Sequence, residues 1–167
     1  MIAMVKKSVV EILRIMEKNA RVSVDEISRM TGISKGDVQQ SIKQFEKSGV
    51  IKRYRTTIDW EKAGVEEVYA LVDIKVSLDR ERGYDAVAER ISKFPEVQSV
   101  RLVSGEYDLS VVVRGKSMKE VAYFIAEKIA TLEQVRNTTT HFTLKMYKEN
   151  GDILHEGEKS KRLPVSA

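Results

Sequence analysis

Asn19-Ala20-Arg21-Val22-Ser23-Val24-Asp25-Glu26-Ile27-Ser28-Arg29-Met30-Thr31-Gly32-Ile33-Ser34 reads as two helix starts across one tight turn, and the chain runs on to Gly49-Val50-Ile51-Lys52-Arg53-Tyr54-Arg55. Ser23 and Glu26 have capping-box spacing, in which the hydroxyl accepts a helix N–H and the carboxylate reaches back to the cap. Val24, Ile27 and Met30 then recur at helical spacing. Thr31-Gly32-Ile33 breaks that helix, with Gly32 where a left-handed residue closes one. Ser34 opens the next helix, Val38, Ile42 and Phe45 share one face of it, and Gly49 stops it. This is helix-turn-helix grammar, which places its second helix in the major groove of DNA.

Outward from this stretch, residues 6–18 read as an amphipathic helix with Val9, Leu13 and Met16 in one stripe and Ile12 beside it. The other two helices fall at about 23–31 and 34–48. Val50 to Ile58 is basic and β-prone, which predicts a small wing, so residues 1–58 form a winged helix-turn-helix DNA-binding domain. Residues 59–67 read as a hinge with at most one helical turn, anchored by Trp60. From Val68 the period changes to two, with Ala70, Val72, Ile74 and Val76 alternating with Tyr69, Leu71, Asp73 and Lys75. A helix over 83–94 ends at Pro95. Strands follow over 97–104 and 107–114 about a Gly105-Glu106 turn. A helix over 117–132 and a long Thr-rich strand over 134–148 complete the order.

The order β-α-β-β-α-β predicts a ferredoxin-like domain over residues 68–148 and an α+β fold for the chain. Its two helices cover one sheet face. The other face is bare yet carries apolar and aromatic side chains, and so small a domain buries little of its surface alone. Both facts predict a homodimer formed through the sheet. Residues 149–167 read as a charged tail without assigned structure, including the basic run Lys159-Ser160-Lys161-Arg162.

The 167 residues contain no Cys, which excludes disulfides, thiolate metal sites and cysteine nucleophiles. No apolar run approaches the ~20 residues of a membrane span, and no signal-peptide h-region follows Lys6-Lys7. A cytoplasmic protein without a membrane partner is the expectation. Residues 1–60 carry 12 Lys and Arg against 7 Asp and Glu, so the excess positive charge lies in the helix-turn-helix segment. That placement fits binding to the phosphates of double-stranded DNA.

Off the core stripe of the second motif helix stand Ser34, Lys35, Gly36, Gln39, Gln40 and Lys43. Side chains near the start of such a helix reach base edges. Gln pairs bidentately with adenine and Lys with guanine or phosphate, and Gly36 permits close approach. Lys52, Arg53 and Arg55 in the wing, and Arg21 before the first motif helix, are backbone contacts, as is that helix's N-terminus.

The two modules in this order resemble the Lrp/AsnC family, the feast/famine transcription regulators, over about residues 5–148. Asn19-Ala20-Arg21, Gly32-Ile33-Ser34, Val38, Gly49-Val50-Ile51 and Gly105-Glu106-Tyr107-Asp108-Leu109 carry the resemblance. The chain departs from the family in lacking its usual Leu-Asp pair at the first helix and in having Ser41 where an Arg is common. The resemblance implies a DNA-binding winged helix and a ligand-sensing domain that builds dimers and higher oligomers such as octamers. It also implies an amino acid effector bound at a dimer–dimer interface around the Gly105 turn. Chemically, N–H groups around Gly105, Glu106 and Tyr107 can hold a carboxylate, and Asp108 can accept from an ammonium. Arg136, Thr138 and Thr140 share one face of the last strand at spacing two, placed to complete such a pocket.

Catalytic chemistry has no visible carrier. There is no P-loop, GxGxxG, nucleophile elbow or acid/base pair, and His141 and His155 lack companions for a metal site, so no cofactor or metal is expected. The alternatives to a sequence-specific regulator are an architectural DNA-binding protein without effector and, further off, a small enzyme on a dimeric ferredoxin-like scaffold.

Overall fold

The computed structural model describes residues 7–77 and 83–155, and the chain forms two compact units that divide between Ile58 and Asp59. The basic run at 159–162, like the rest of the tail beyond His155, lies outside the described residues. No helix among those described is long and apolar enough to cross a membrane.

The first unit holds α1 (Lys7–Lys18), α2 (Val24–Thr31) and α3 (Lys35–Ser48). Ile12, Ile27 and Val38, one from each helix, are fully buried, and Ile15, Met16, Val22, Val24, Ile33 and Ile42 pack around them. Thus α1 turns a face centred on Ile12 inward, and of the expected stripe of Val9, Leu13 and Met16 it is Met16 that packs in this core. Ile12, Ile15 and Met16, at i, i+3 and i+4, are the set that meets the other helices. Met30 is outside this core and 63% exposed.

The links between helices follow from their caps. Ser23 Oγ accepts the Glu26 N–H at 3.2 Å and the Glu26 carboxylate accepts the Ser23 N–H at 2.9 Å, which completes the capping box. Gly32, at φ +70°, ends α2 and donates its N–H to the Ser28 carbonyl at 2.9 Å. Ser28 Oγ donates to the Ile33 carbonyl at 2.6 Å, and Ser34 Oγ accepts the Asp37 N–H at 3.2 Å to start α3. Gly49, at φ +71°, ends α3.

The expected wing strand does not form. Among the described residues, 50–58 contain no strand. A single β-prone stretch needs a partner strand, and the described residues of its own unit offer helices instead. The arm is instead tied back to α3, where the Ile51 N–H donates to the Phe45 carbonyl at 3.1 Å.

The second unit opens with a turn over 59–65. The Asp59 carboxylate accepts the Lys62 N–H at 3.0 Å, and the Asp59 and Trp60 carbonyls accept from Ala63 and Val65. Then come β1 (Val68–Val76), α4 (Tyr84–Ser92), β2 (Val97–Leu102), β3 (Leu109–Gly115), α5 (Met118–Phe124) and β4 (Val135–Phe142). The strands form one antiparallel sheet in the order β2-β3-β1-β4, as the ferredoxin-like reading requires. Ala70, Val72, Ile74, Leu109, Val111 and Val113 are fully buried on the inner face, against Val87 and Ile91 of α4 and Val121 and Phe124 of α5.

Three local expectations change. The second helix is α-helical only to Phe124 and continues over Ile125–Ile129 as a π-helix, closed by the Ala130 N–H to the Ile125 carbonyl at 2.8 Å. The wider turn keeps Ile125, Ile129 and Leu132 all buried. The last strand stops at Phe142, not 148. The segment expected to be an unstructured tail begins as a separate hairpin, β5 (Lys148–Glu149) with β6 (Asp152–Ile153). Asn150 (φ 49°) and Gly151 (φ 96°) form its two-residue turn, the Asn-Gly signal for a hairpin whose two central residues both have positive φ.

Ser23→Ala removes the acceptor for the Glu26 N–H and the reciprocal arm of the box. It should lower stability by about 1 kcal/mol, read as a lower melting temperature of the helix-turn-helix signal in circular dichroism.

Candidate nucleic-acid interface and ligand turn

Helix α3 separates its two faces cleanly. Val38 and Phe45 are buried and Ile42 is half-buried on one side, while Gly36, Gln39, Gln40, Lys43 and Lys47 recur at i, i+3, i+4, i+7 and i+11 on the opposite side, all exposed. Lys47 belongs to this stripe and was not anticipated, although its spacing of four from Lys43 signals it. A Cβ at Gly36 would meet only Ser34 Oγ, at 3.9 Å. Nothing inside the unit therefore demands glycine there, which leaves close approach from outside as a use for it.

The neighbouring candidates are partly engaged within the protein. Ser34 is the N-cap, and its hydroxyl also donates to the Asp37 carboxylate at 2.7 Å, so it is a structural group at the helix start. Lys35 pairs with Asp25 at 3.0 Å with both side chains mostly exposed, a bond that a phosphate can displace at little cost. Arg21 is exposed, with its N–H bonded to Asn19 Oδ1 at 3.0 Å. The α2 N-terminus is a poorer phosphate site than expected, because Asp25 and Glu26 fill its first turn. The Ser23 N–H bond holds the Glu26 carboxyl below its ordinary range, so it stays charged. Lys52, Arg53 and Arg55 are exposed along the arm.

In the second unit, Gly105 has φ +143° with no atom within 4 Å of a built Cβ, so its backbone and not its surroundings selects glycine. Gly105 and Glu106 are exposed and Tyr107 is half-buried. Among the described residues, the N–H groups of Gly105, Glu106 and Tyr107 donate to no protein acceptor. The Lys75 ammonium donates to the Glu106 carbonyl at 2.7 Å.

Asp108 is built into the scaffold. Its Oδ2 accepts the Val76 N–H at 2.9 Å, and its Oδ1 accepts from Lys75 Nζ and the Tyr84 hydroxyl, each at 3.3 Å. The Val76 N–H is the main cause that holds this carboxyl below its ordinary range, with Lys75 and Tyr84 assisting against burial. Three of its roughly four acceptor positions are thus used, which leaves Asp108 little capacity to receive an ammonium.

The β4 residues divide differently from the expectation. Thr138 pairs with Ile74 and Thr140 with Val72, and directly opposed residues share a face, so both lie on the helix-covered side. Arg136 falls in the register jump opposite Lys75 and Val76, outside the ladder. The residue that meets the turn is Thr139, whose Oγ1 is 2.7 Å from the Tyr107 hydroxyl. Tyr107 therefore reaches across β1 over the open face. Phe142, apolar at an even position, carried the parity that places Thr138 and Thr140 inward. The open face also carries His141, 3.6 Å from Asp73, and Arg114, 3.3 Å from Glu67. His155 lies edge-on to Tyr147 at 5.5 Å.

A helix pair joined by a capped turn, with a basic polar stripe facing solvent and followed by an α+β domain, defines a two-domain DNA-binding regulator. The comparisons agree. Residues 7–52 match winged helix-turn-helix DNA-binding domains and residues 69–153 match the Lrp/AsnC ligand binding domain. The chain is 48% identical over 157 residues to the uncharacterized HTH-type transcriptional regulator YugG of Bacillus subtilis, covering 93% of this chain and 95% of that one. It is 32% identical to the HTH-type transcriptional regulator FL11 of Pyrococcus furiosus, covering 86% and 91%. In fold it is similar to the leucine response regulatory protein LrpA of Mycobacterium tuberculosis (TM-score 0.73, 24% identity, 90% and 100% covered). It is also similar in fold to the transcriptional regulator NMB0573 of Neisseria meningitidis, solved as an L-Met complex (TM-score 0.68, 21% identity, 87% and 93% covered). The chain belongs to the Lrp/AsnC family of transcriptional regulators.

A carboxyl with a lowered folded-state pKa stabilises the fold fully above its unfolded value of about 4, and that contribution is lost as pH falls through the folded value. Asp108→Asn should therefore lower stability near neutral pH by about 2 kcal/mol. Its melting temperature should also fall less steeply than the parent's on acidification below about pH 4, measured by thermal scans across pH.

Proposed function

We propose that this regulator reads specific DNA sites through the exposed stripe of α3, as a homodimer closed over the open sheet face, under the influence of an amino acid held at the Gly105 turn. The observation that carries the reading is the opposition of faces on α3. Gln39, Gln40 and Lys43 lie away from the core stripe, with Gly36 beside them at the helix start. Gln supplies paired donor and acceptor for adenine, and Lys supplies charge for guanine or phosphate. Lys47, Arg53 and Arg55 add phosphate contacts that position the helix without reading sequence.

Dimerisation follows from the uncovered face. Leu71 is 38% exposed there, beside half-buried Tyr69 and Val112, and a second copy would cover all three. An amino acid effector is supported by the unpaired N–H groups of the turn, which suit a carboxylate, and by the L-Met complex of the similarly folded Neisseria regulator. Tyr107 and Thr139 supply hydroxyls beside that turn. The effector would act on assembly geometry and couple to DNA only through it.

Gln39→Ala should lower the preference for specific over random DNA by about 1–3 kcal/mol. Arg53→Ala should weaken both alike and flatten the salt slope by about one. Fluorescence anisotropy titrations over a salt series measure both. Identical behaviour of both variants and the parent would refute the interface. Tyr107→Phe removes the hydroxyl bond to Thr139. It should leave assembly without effector unchanged while weakening any shift in sedimentation caused by a mixture of the twenty amino acids. A full response in that variant would remove Tyr107 from the pocket.

A further inference from the structure

Among the described residues the arm that follows α3 pairs with no strand, yet two of its residues are hydrogen-bonded to that helix. The Ile51 N–H donates to the Phe45 carbonyl at 3.1 Å. Lys52 Nζ lies 3.2 Å from the point a Cβ on Gly49 would occupy. Its ammonium therefore lies near the C-terminal end of α3, where a cation is favoured. The Tyr54 hydroxyl then donates to Glu46 Oε1 on the last turn of α3 at 2.7 Å. That bond holds the Tyr54 phenol above its ordinary range, so the hydroxyl keeps its proton and remains a donor near neutral pH.

Arg53 and Arg55 flank Tyr54. Both are exposed, and among the described residues neither forms an ion pair. Lys52, by contrast, lies beside Gly49 at the helix end. A carboxylate at the end of a DNA-reading helix repels phosphate, so Glu46 opposes binding if it does nothing else. Its bond to Tyr54 supplies another role.

We propose that Tyr54 and Glu46 are a positioning pair, which fixes the arm against α3 so that Arg53 and Arg55 meet the same duplex that α3 enters. A loose arm would have to be ordered on binding, at an entropic cost for each residue fixed, and the pair removes that cost beforehand. The inference rests on the reading that the arm touches DNA.

The test uses the full chain. Tyr54→Phe deletes only the hydroxyl, and Tyr54 is 48% exposed, so the core is untouched. Dissociation constants for a specific and a random duplex are measured over a salt series, in the parent and in the Arg53→Ala/Arg55→Ala background. In the parent, Tyr54→Phe should weaken both duplexes alike by about 3- to 10-fold and flatten the salt slope by about one. In the double-Ala background it should change neither. Glu46→Gln keeps an acceptor for the phenol and should retain the parent's salt slope. No loss in the parent, or an equal loss in both backgrounds, overturns the pair while leaving the arm's DNA contact intact. A double-Ala protein that binds as the parent does removes the arm from the interface, and the pair's role with it.

Discussion

Everything the first unit can do with DNA depends on one short turn. Gly32 takes a left-handed conformation that ends α2, and two residues later Ser34 caps α3. Ser28 closes the space between by holding the Ile33 carbonyl at 2.6 Å. With three fully buried side chains in this unit's core among the described residues, packing alone is a slight constraint on helix direction. The turn supplies the rest. It fixes how α3 leaves α2, and so which of its faces is buried and which is offered to a groove.

The second unit is organised around β1. Its even-numbered residues are sealed under α4 and α5, and its odd-numbered residues lie on the open face. Asp108 joins this strand to the Gly105 turn and to α4 by accepting from Val76, Lys75 and Tyr84 at once. A ligand that moved the turn would therefore pull on the end of the central strand and on a covering helix together. Tyr107 extends the same connection to β4 through Thr139. The turn is thus wired to three elements of the sheet domain, which suits the proposed effector site.

Much of this was legible because it depends on local rules. Capping residues, the left-handed glycines and the period-two pattern of β1 each have one physical meaning, and each led to the element that forms. What was misread depends on partners. The parity of β4 is decided by its register against β1, where a bulge displaces Arg136, and strand composition alone does not reveal a bulge. The wing was inferred from β-propensity, but a strand exists only where another chain segment pairs with it. The engagement of both Asp108 oxygens is set by residues more than twenty positions away in sequence. The Asn150-Gly151 hairpin is the exception, a local turn signal set within a charged tail.

The most direct test of a regulator that reads defined sites is a hydroxyl-radical footprint on the DNA upstream of its own gene, at near-physiological salt, with and without a mixture of amino acids. The account predicts discrete protections that recur about once per helical turn, as expected for paired copies of α3, and that change when the mixture is added. Uniform coverage of any DNA, or protection no stronger than on random sequence, would contradict it.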